Sequence, residues 1–256
     1  MEPSADAVTD STGSAATAGP PPGRRLLRLI PTVSYPLLAH AAILTRSAAL
    51  TIASVGVLAA AVLGPGLLRR SAAAWLAAAA VVVGMVELSR LGAAELALFL
   101  PPTLINCYMA WLFGHTLSAG RVPFIELIVR RMQDPGETLE PDVSRYVARL
   151  TAAWTALFVV QAAANTALAL IASPQGLLLA AGITPPVTVP LEVWSLFANV
   201  LNYLIVGAFF VLEYGYRRRR FPQQPYRNIF DFLRRAGAAG PAVLRDLGHG
   251  GGRGRG

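Results

Sequence analysis

Blocks of nearly uninterrupted apolar residues, each close to twenty long, constrain this chain more than any other feature. At about 1.5 Å of rise per residue, about twenty residues of helix match the hydrocarbon thickness of a bilayer. Such a stretch spans lipid only as a helix or a closed barrel, because every backbone polar group there must be satisfied internally. Only 14% of the 256 residues are charged, and 54% are hydrophobic. A soluble domain carries about 25% charged residues. The expected fold class is therefore all-α, a polytopic membrane helix bundle.

Six apolar segments are predicted, at roughly 26–45, 47–68, 71–89, 93–113, 147–172 and 191–216. The first is the least uniform, with Arg28 near its start and Pro31 and Pro36 inside it. Those prolines and His40 also argue against GRRLLRLIPTVSYPLLAHAA being a cleaved twin-arginine signal, so an uncleaved first helix is expected. Residues 1–23 are small, polar and proline-rich, which predicts a disordered N-terminal tail. The bundle is then expected over 24–216, with a loop at 114–146 and a basic tail at 217–256.

Charge orients the segments. All 22 basic residues are arginine, and the tail from 217 holds ten of them against Asp231 and Asp246. It thus accounts for the whole net charge of +8. Loop 114–146 carries Arg121, Arg130, Arg131 and Arg145, whereas 173–190 carries no charged residue. The positive-inside rule places the first loop and the tail in the cytoplasm, and six crossings put both termini there. The run Arg217–Arg220, in LEYGYRRRRFPQQP, then reads as the stop and membrane-surface anchor of the last helix. Its expected partners are anionic lipid headgroups. Nucleic acid is not expected, because no base-reading motif accompanies the arginines.

Two stretches have the pattern of interfacial helices. In 122–132, Ile125, Ile128, Val129 and Met132 recur at helical spacing while Glu126, Arg130 and Arg131 lie elsewhere. In 225–237, Ile229, Phe230 and Leu233 alternate in the same way with Arg227, Asp231, Arg234 and Arg235. The end, GHGGGRGRG, reads as flexible.

Polar side chains are costly in hydrocarbon, so their placement is informative. On the last segment Glu192, Ser195, Asn199, Asn202, Tyr203 and Glu213 fall on one helical stripe. Thr151, Thr155, Gln161 and Asn165 share a side of the fifth, and Glu95, Pro102 and Asn106 share one on the fourth. Pro101 and Pro102 each remove a backbone donor, and Asn106 one turn on is expected to help satisfy that break. Two readings stay open for Asn106, Gln161, Asn165, Asn199, Asn202 and Tyr203: a polar cavity for a headgroup, acyl thioester or ion, or interhelical hydrogen bonding. Glu213 stands four residues before Arg217 and Glu87 three before Arg90, spacings that favour local ion pairs.

Catalytic signals are sparse. The single cysteine, Cys107, rules out a disulfide framework and a CxxC metal site. His40, His115 and His249 lack metal-ligand spacing, so neither a metal nor a cofactor is expected. No GxSxG, Walker, HExxH or HxxxxD pattern occurs. Cys107 and His115 remain as the candidate catalytic side chains, a thiol and a general base.

Three blocks, PPTLINCYMAWLFGHTLSAGRVPFIELIVRRM (101–132), LEPDVSRYVARLTAAWTALFVVQAA (139–163) and WSLFANVLNYLIVGAFFVLEYGYRRRRFPQQPYRNIFDFLRR (194–235), carry a resemblance. They resemble a family of small bacterial inner-membrane proteins encoded in aryl-polyene and xanthomonadin-type pigment clusters, sometimes named ketosynthases. The resemblance implies a role beside fatty-acid-like polyene synthesis on acyl carrier proteins, ending in a membrane-bound product. A ketosynthase needs a reactive cysteine with two histidines in a soluble α/β fold, and this sequence has neither. Two function classes follow: a docking platform or carrier of acyl chains, and a membrane acyltransferase or condensing accessory. Either would draw acidic acyl carrier protein to an arginine-rich face.

Overall fold

The computed structural model describes residues 22–132 and 139–221. The N-terminal tail through residue 21, residues 133–138 and the tail from 222, with its expected interfacial helix at 225–237, lie outside the described residues. Helices dominate what is described, as expected. Five stretches are long and apolar enough to cross a membrane: Ala48–Leu68, Ala72–Arg90, Ala94–Leu117, Pro141–Ile171 and Leu191–Arg220. The first expected segment forms a 24-residue helix, Pro22–Thr45, with both prolines inside it, and stands outside that set of five.

That helix, α1, meets α2 (Ala48–Leu68) at a tight turn. Arg46 takes a left-handed conformation (φ 49°), and the Ser47 amide returns to the Ala42 carbonyl. Ser47 then caps α2 by accepting the Leu50 amide. The next turn repeats the device: Arg70 has φ 55°, and the Ser71 amide closes onto the Gly66 carbonyl before α3 (Ala72–Arg90) begins. Gly66 is needed here because a Cβ would come 2.7 Å from that of Ala74. α3 ends at Gly92 (φ 66°), the left-handed stop that glycine supplies without strain.

A 3₁₀ turn (Ala94–Phe99) runs directly into α4 (Leu100–Gly114). Pro101 and Pro102 therefore sit in the first turn of α4, where backbone donors have no intrahelical partner anyway. Asn106 donates to the Pro102 carbonyl at 2.8 Å, one turn back on its own helix. It does not repair a break, because the prolines create none.

α5 (Phe124–Met132) is amphipathic, as its spacing predicts. Its Glu126 departs from the expected solvent face: the residue is 3% exposed. It accepts from Arg130 at 2.6 Å and from Ser144 at 3.0 Å, which ties α5 to the start of α6 (Pro141–Ile171). The α5 entry is capped by two threonines. Thr116 Oγ1 accepts the Phe124 amide at 2.9 Å, and Thr151 Oγ1 accepts that of Ile125 at 3.4 Å.

The chain then makes a short connection with α7 (Leu177–Ala180) and a two-residue parallel pairing of β1 (Ala172–Ser173) with β2 (Val189–Pro190). The last crossing is α8 (Leu191–Leu196), a π-helical turn (Phe197–Leu201) and α9 (Asn202–Arg220) in one continuous rod.

The main core gathers Tyr35, Ala39, Ala42 and Ile43 of α1 with Leu98, Phe99, Trp194 and Ala198. Phe99 and Trp194 meet edge to face at 4.4 Å. α3 packs on α2 and on the 3₁₀ turn but contributes no fully buried residue, so most of its surface faces outward.

Candidate functional site

The polar residues of the last two crossings come together inside the bundle. Gln161, Asn165, Ser195, Asn199 and Asn202 are all 6% exposed or less. Asn106 is equally buried on α4, whereas Tyr203 is 45% exposed at the edge of the stripe. Asn199 lies within the π turn and Asn202 directly after it. Such turns widen the helix by one residue and are frequent at functional sites.

The hydrogen bonds of these amides are mostly local. Asn165 Nδ2 donates to the Gln161 carbonyl, Asn199 Nδ2 to Ser195 Oγ and Asn202 Nδ2 to the Ala198 carbonyl, each one turn back. Only Gln161 bridges two helices among these four, donating from Nε2 to the Asn202 carbonyl at 3.1 Å. The acceptor ends have a different fate. Among the described residues Gln161 Oε1, Asn165 Oδ1 and Asn202 Oδ1 are buried without a hydrogen-bond partner, as are Tyr35 OH and Trp194 Nε1. A buried polar atom without a partner costs about 1–3 kcal/mol. Several in one region mark a place where water or a ligand supplies the missing partners.

α1 adds residues that the sequence did not single out. His40 Nδ1 lies 2.9 Å from Ser195 Oγ, across 155 residues of chain. Tyr35, five residues earlier on the packed face of α1, is 3% exposed. Periodicity within single segments carries no sign of either contact. The one available signal was that His40 interrupts an apolar segment.

The candidate catalytic side chains are not brought into a constellation. Cys107 is a free, exposed thiol on α4. His115 follows α4, stacks on Trp111 at 4.6 Å and donates from Nδ1 to the Trp111 carbonyl at 2.9 Å. That bond leaves Nε2 as the nitrogen able to act as a base. Among the described residues no group of three or more His, Cys, Asp or Glu could hold a metal ion.

At the arginine-rich end, Arg217 differs from its three successors. It is 7% exposed and pairs with Glu213 at 2.9 Å, while Arg218, Arg219 and Arg220 are exposed. Tyr146 of α6 donates its hydroxyl to the same carboxylate at 3.0 Å. Arg217 is thus a buried structural cation and not the surface anchor expected of it. The expected Glu87–Arg90 pair is present and exposed, at 3.0 Å. No protein-family model matches this chain, and no curated protein or solved structure proved significantly similar to it.

Proposed function

We propose that this protein is an inner-membrane component of bacterial aryl-polyene-type pigment lipid synthesis. In this reading it is a carrier or docking platform that holds an acyl chain or its polar end within the bundle. The observation that carries the reading is the set of buried amide oxygens of Gln161, Asn165 and Asn202, which make no hydrogen bond among the described residues. The resembling blocks 101–132, 139–163 and 194–235 supply Asn106, Gln161, Asn199 and Asn202 of this interior. A hydroxyl on a polyene intermediate, or water that travels with it, donates a hydrogen bond and so has the matching chemistry.

The proposal includes six crossings with both termini in the cytoplasm. At about 1.5 Å per residue, α1 measures about 36 Å, enough to span. The arginine-rich end would then face acidic acyl carrier protein and the anionic headgroups of the inner leaflet.

The alternative, a membrane acyltransferase or condensing accessory, draws on the free Nε2 of His115. Alanine replacement of His115 and Cys107 in a pigment-producing host separates the two. Normal pigment is expected for the carrier. Loss of pigment at unchanged protein level would transfer the reading to catalysis. Asn165→Leu and Asn202→Leu, by contrast, are expected to reduce pigment beyond any fall in protein abundance.

A further inference from the structure

Toward the arginine-rich end, α6 and α9 do not close on each other. Between them runs a groove of about 550 Å³, within the range of ordinary ligand pockets. Its two walls differ along their length. Toward the bundle middle they are apolar, with Leu150 and Ala153 on α6 facing Phe209 and Leu212 on α9. At the mouth stand Arg145, Arg149 and Arg220. Leu212 is 73% exposed, so the groove opens sideways, where lipid chains would lie.

The charge of the mouth is net positive and partly uncommitted. Glu213 lines the groove, but its carboxylate is neutralised by buried Arg217 and accepts the Tyr146 hydroxyl. Asp142 makes only a loose, exposed pair with Arg145 at 3.5 Å. Arg149 and Arg220 have no carboxylate within ion-pair distance among the described residues, and the Arg220 guanidinium lies over the Phe221 ring at 5.5 Å. Two guanidinium groups above an apolar slot are complementary to a phosphate that carries a hydrocarbon chain.

We propose that the α6–α9 groove is a binding site for one anionic phospholipid of the surrounding leaflet. The phosphate lies between Arg149 and Arg220, and an acyl chain covers Leu150, Ala153, Phe209 and Leu212. A free phosphate would use the arginines and leave the apolar walls unfilled; a zwitterionic lipid would fill the walls and gain less at the mouth. The inference does not depend on a role in pigment synthesis, since it rests on this groove alone.

The test is native mass spectrometry of the full-length protein in detergent, titrated with phosphatidylglycerol or phosphatidylcholine. One phosphatidylglycerol should be retained in preference to phosphatidylcholine. Arg149→Gln with Arg220→Gln should weaken that retention about thirtyfold, from the usual worth of two arginines near an anionic headgroup. Arg218→Gln with Arg219→Gln makes the same charge change on exposed residues outside the groove and should weaken retention far less. Ala153→Trp fills the apolar wall without touching an arginine and should also abolish it. Equal retention in the two double variants would overturn the site, as would unchanged retention in Ala153→Trp. Displacement of the lipid by an equal concentration of inorganic phosphate would show an anion site only, and would overturn the lipid assignment.

Discussion

Glu213 and Arg217 show how much a single pair can matter where water is excluded. Their side chains are 7% and 9% exposed, so removing one charge strands the other. Glu213→Gln is expected to destabilise the protein by about 3–5 kcal/mol, the usual loss when one partner of a buried pair is removed. Glu213→Gln with Arg217→Met should recover most of that loss, which thermal unfolding in detergent will measure. The amides invite a comparison on the same assay. Gln161→Leu removes the bond to the Asn202 carbonyl and should cost about 0.5–2 kcal/mol, the range for hydrogen bonds between membrane helices. Asn199→Leu removes only a bond within its own helix and should cost less. Equal losses would mean that the local bonds support the bundle as strongly as the bridging one.

The same residues show what was legible beforehand. The four-residue spacing of Glu213 and Arg217 identified the ion pair, because helical neighbours are fixed by the helix itself. It did not show that Arg217 would be buried, since burial depends on Tyr146 of another helix. The stripe containing Ser195, Asn199 and Asn202 was readable from its angular spacing alone. Its meeting with His40 was not, because contacts across 155 residues leave no trace in local periodicity.

Among the elements, α5 has the most evident dependence on others. A nine-residue helix is marginal alone, and this one is held by two threonine caps and the buried Glu126. Thr116→Val and Thr151→Val should each destabilise its entry by about 1 kcal/mol, as for other lost caps. The expected readout is faster hydrogen exchange at the Phe124 and Ile125 amides. The sequence disclosed the amphipathic spacing of α5 but placed Glu126 on the polar side. The error is physical: an acid at the first turn of a short helix can be drawn inward when a serine and an arginine are ready to satisfy it. The apolar segments were more secure. Four of the five crossing helices begin within one residue of the expected position, at 48, 72, 94 and 191. Pro141–Ile171 starts earlier than 147 because its first turns, with Asp142 and Arg145, precede the apolar run.

At the scale of the whole molecule, the proposed orientation makes a plain prediction. A cytoplasm-active reporter fused after Arg235 should be active, and a periplasm-active one inserted within 175–188 should be active too. The reverse pattern would overturn the orientation. The helices are also unequal in how they are held. α4 and α6 cross so closely that a Cβ on Gly114 would stand 3.0 Å from Thr155 Cγ2, and α1 is locked against α8 through His40 and Ser195. α3 packs chiefly on α2 and the 3₁₀ turn, and buries no residue fully. With 19 residues it is about 28 Å long, close to the bilayer's hydrocarbon depth of about 30 Å. Its slant is therefore set by the turn at Arg70, by its packing on α2 and the 3₁₀ turn, and by the thickness of the lipid around it. The α2–α3 hairpin is expected to act as an outrigger, standing more upright in a thicker membrane and lying over in a thinner one, while the buried amides keep their spacing.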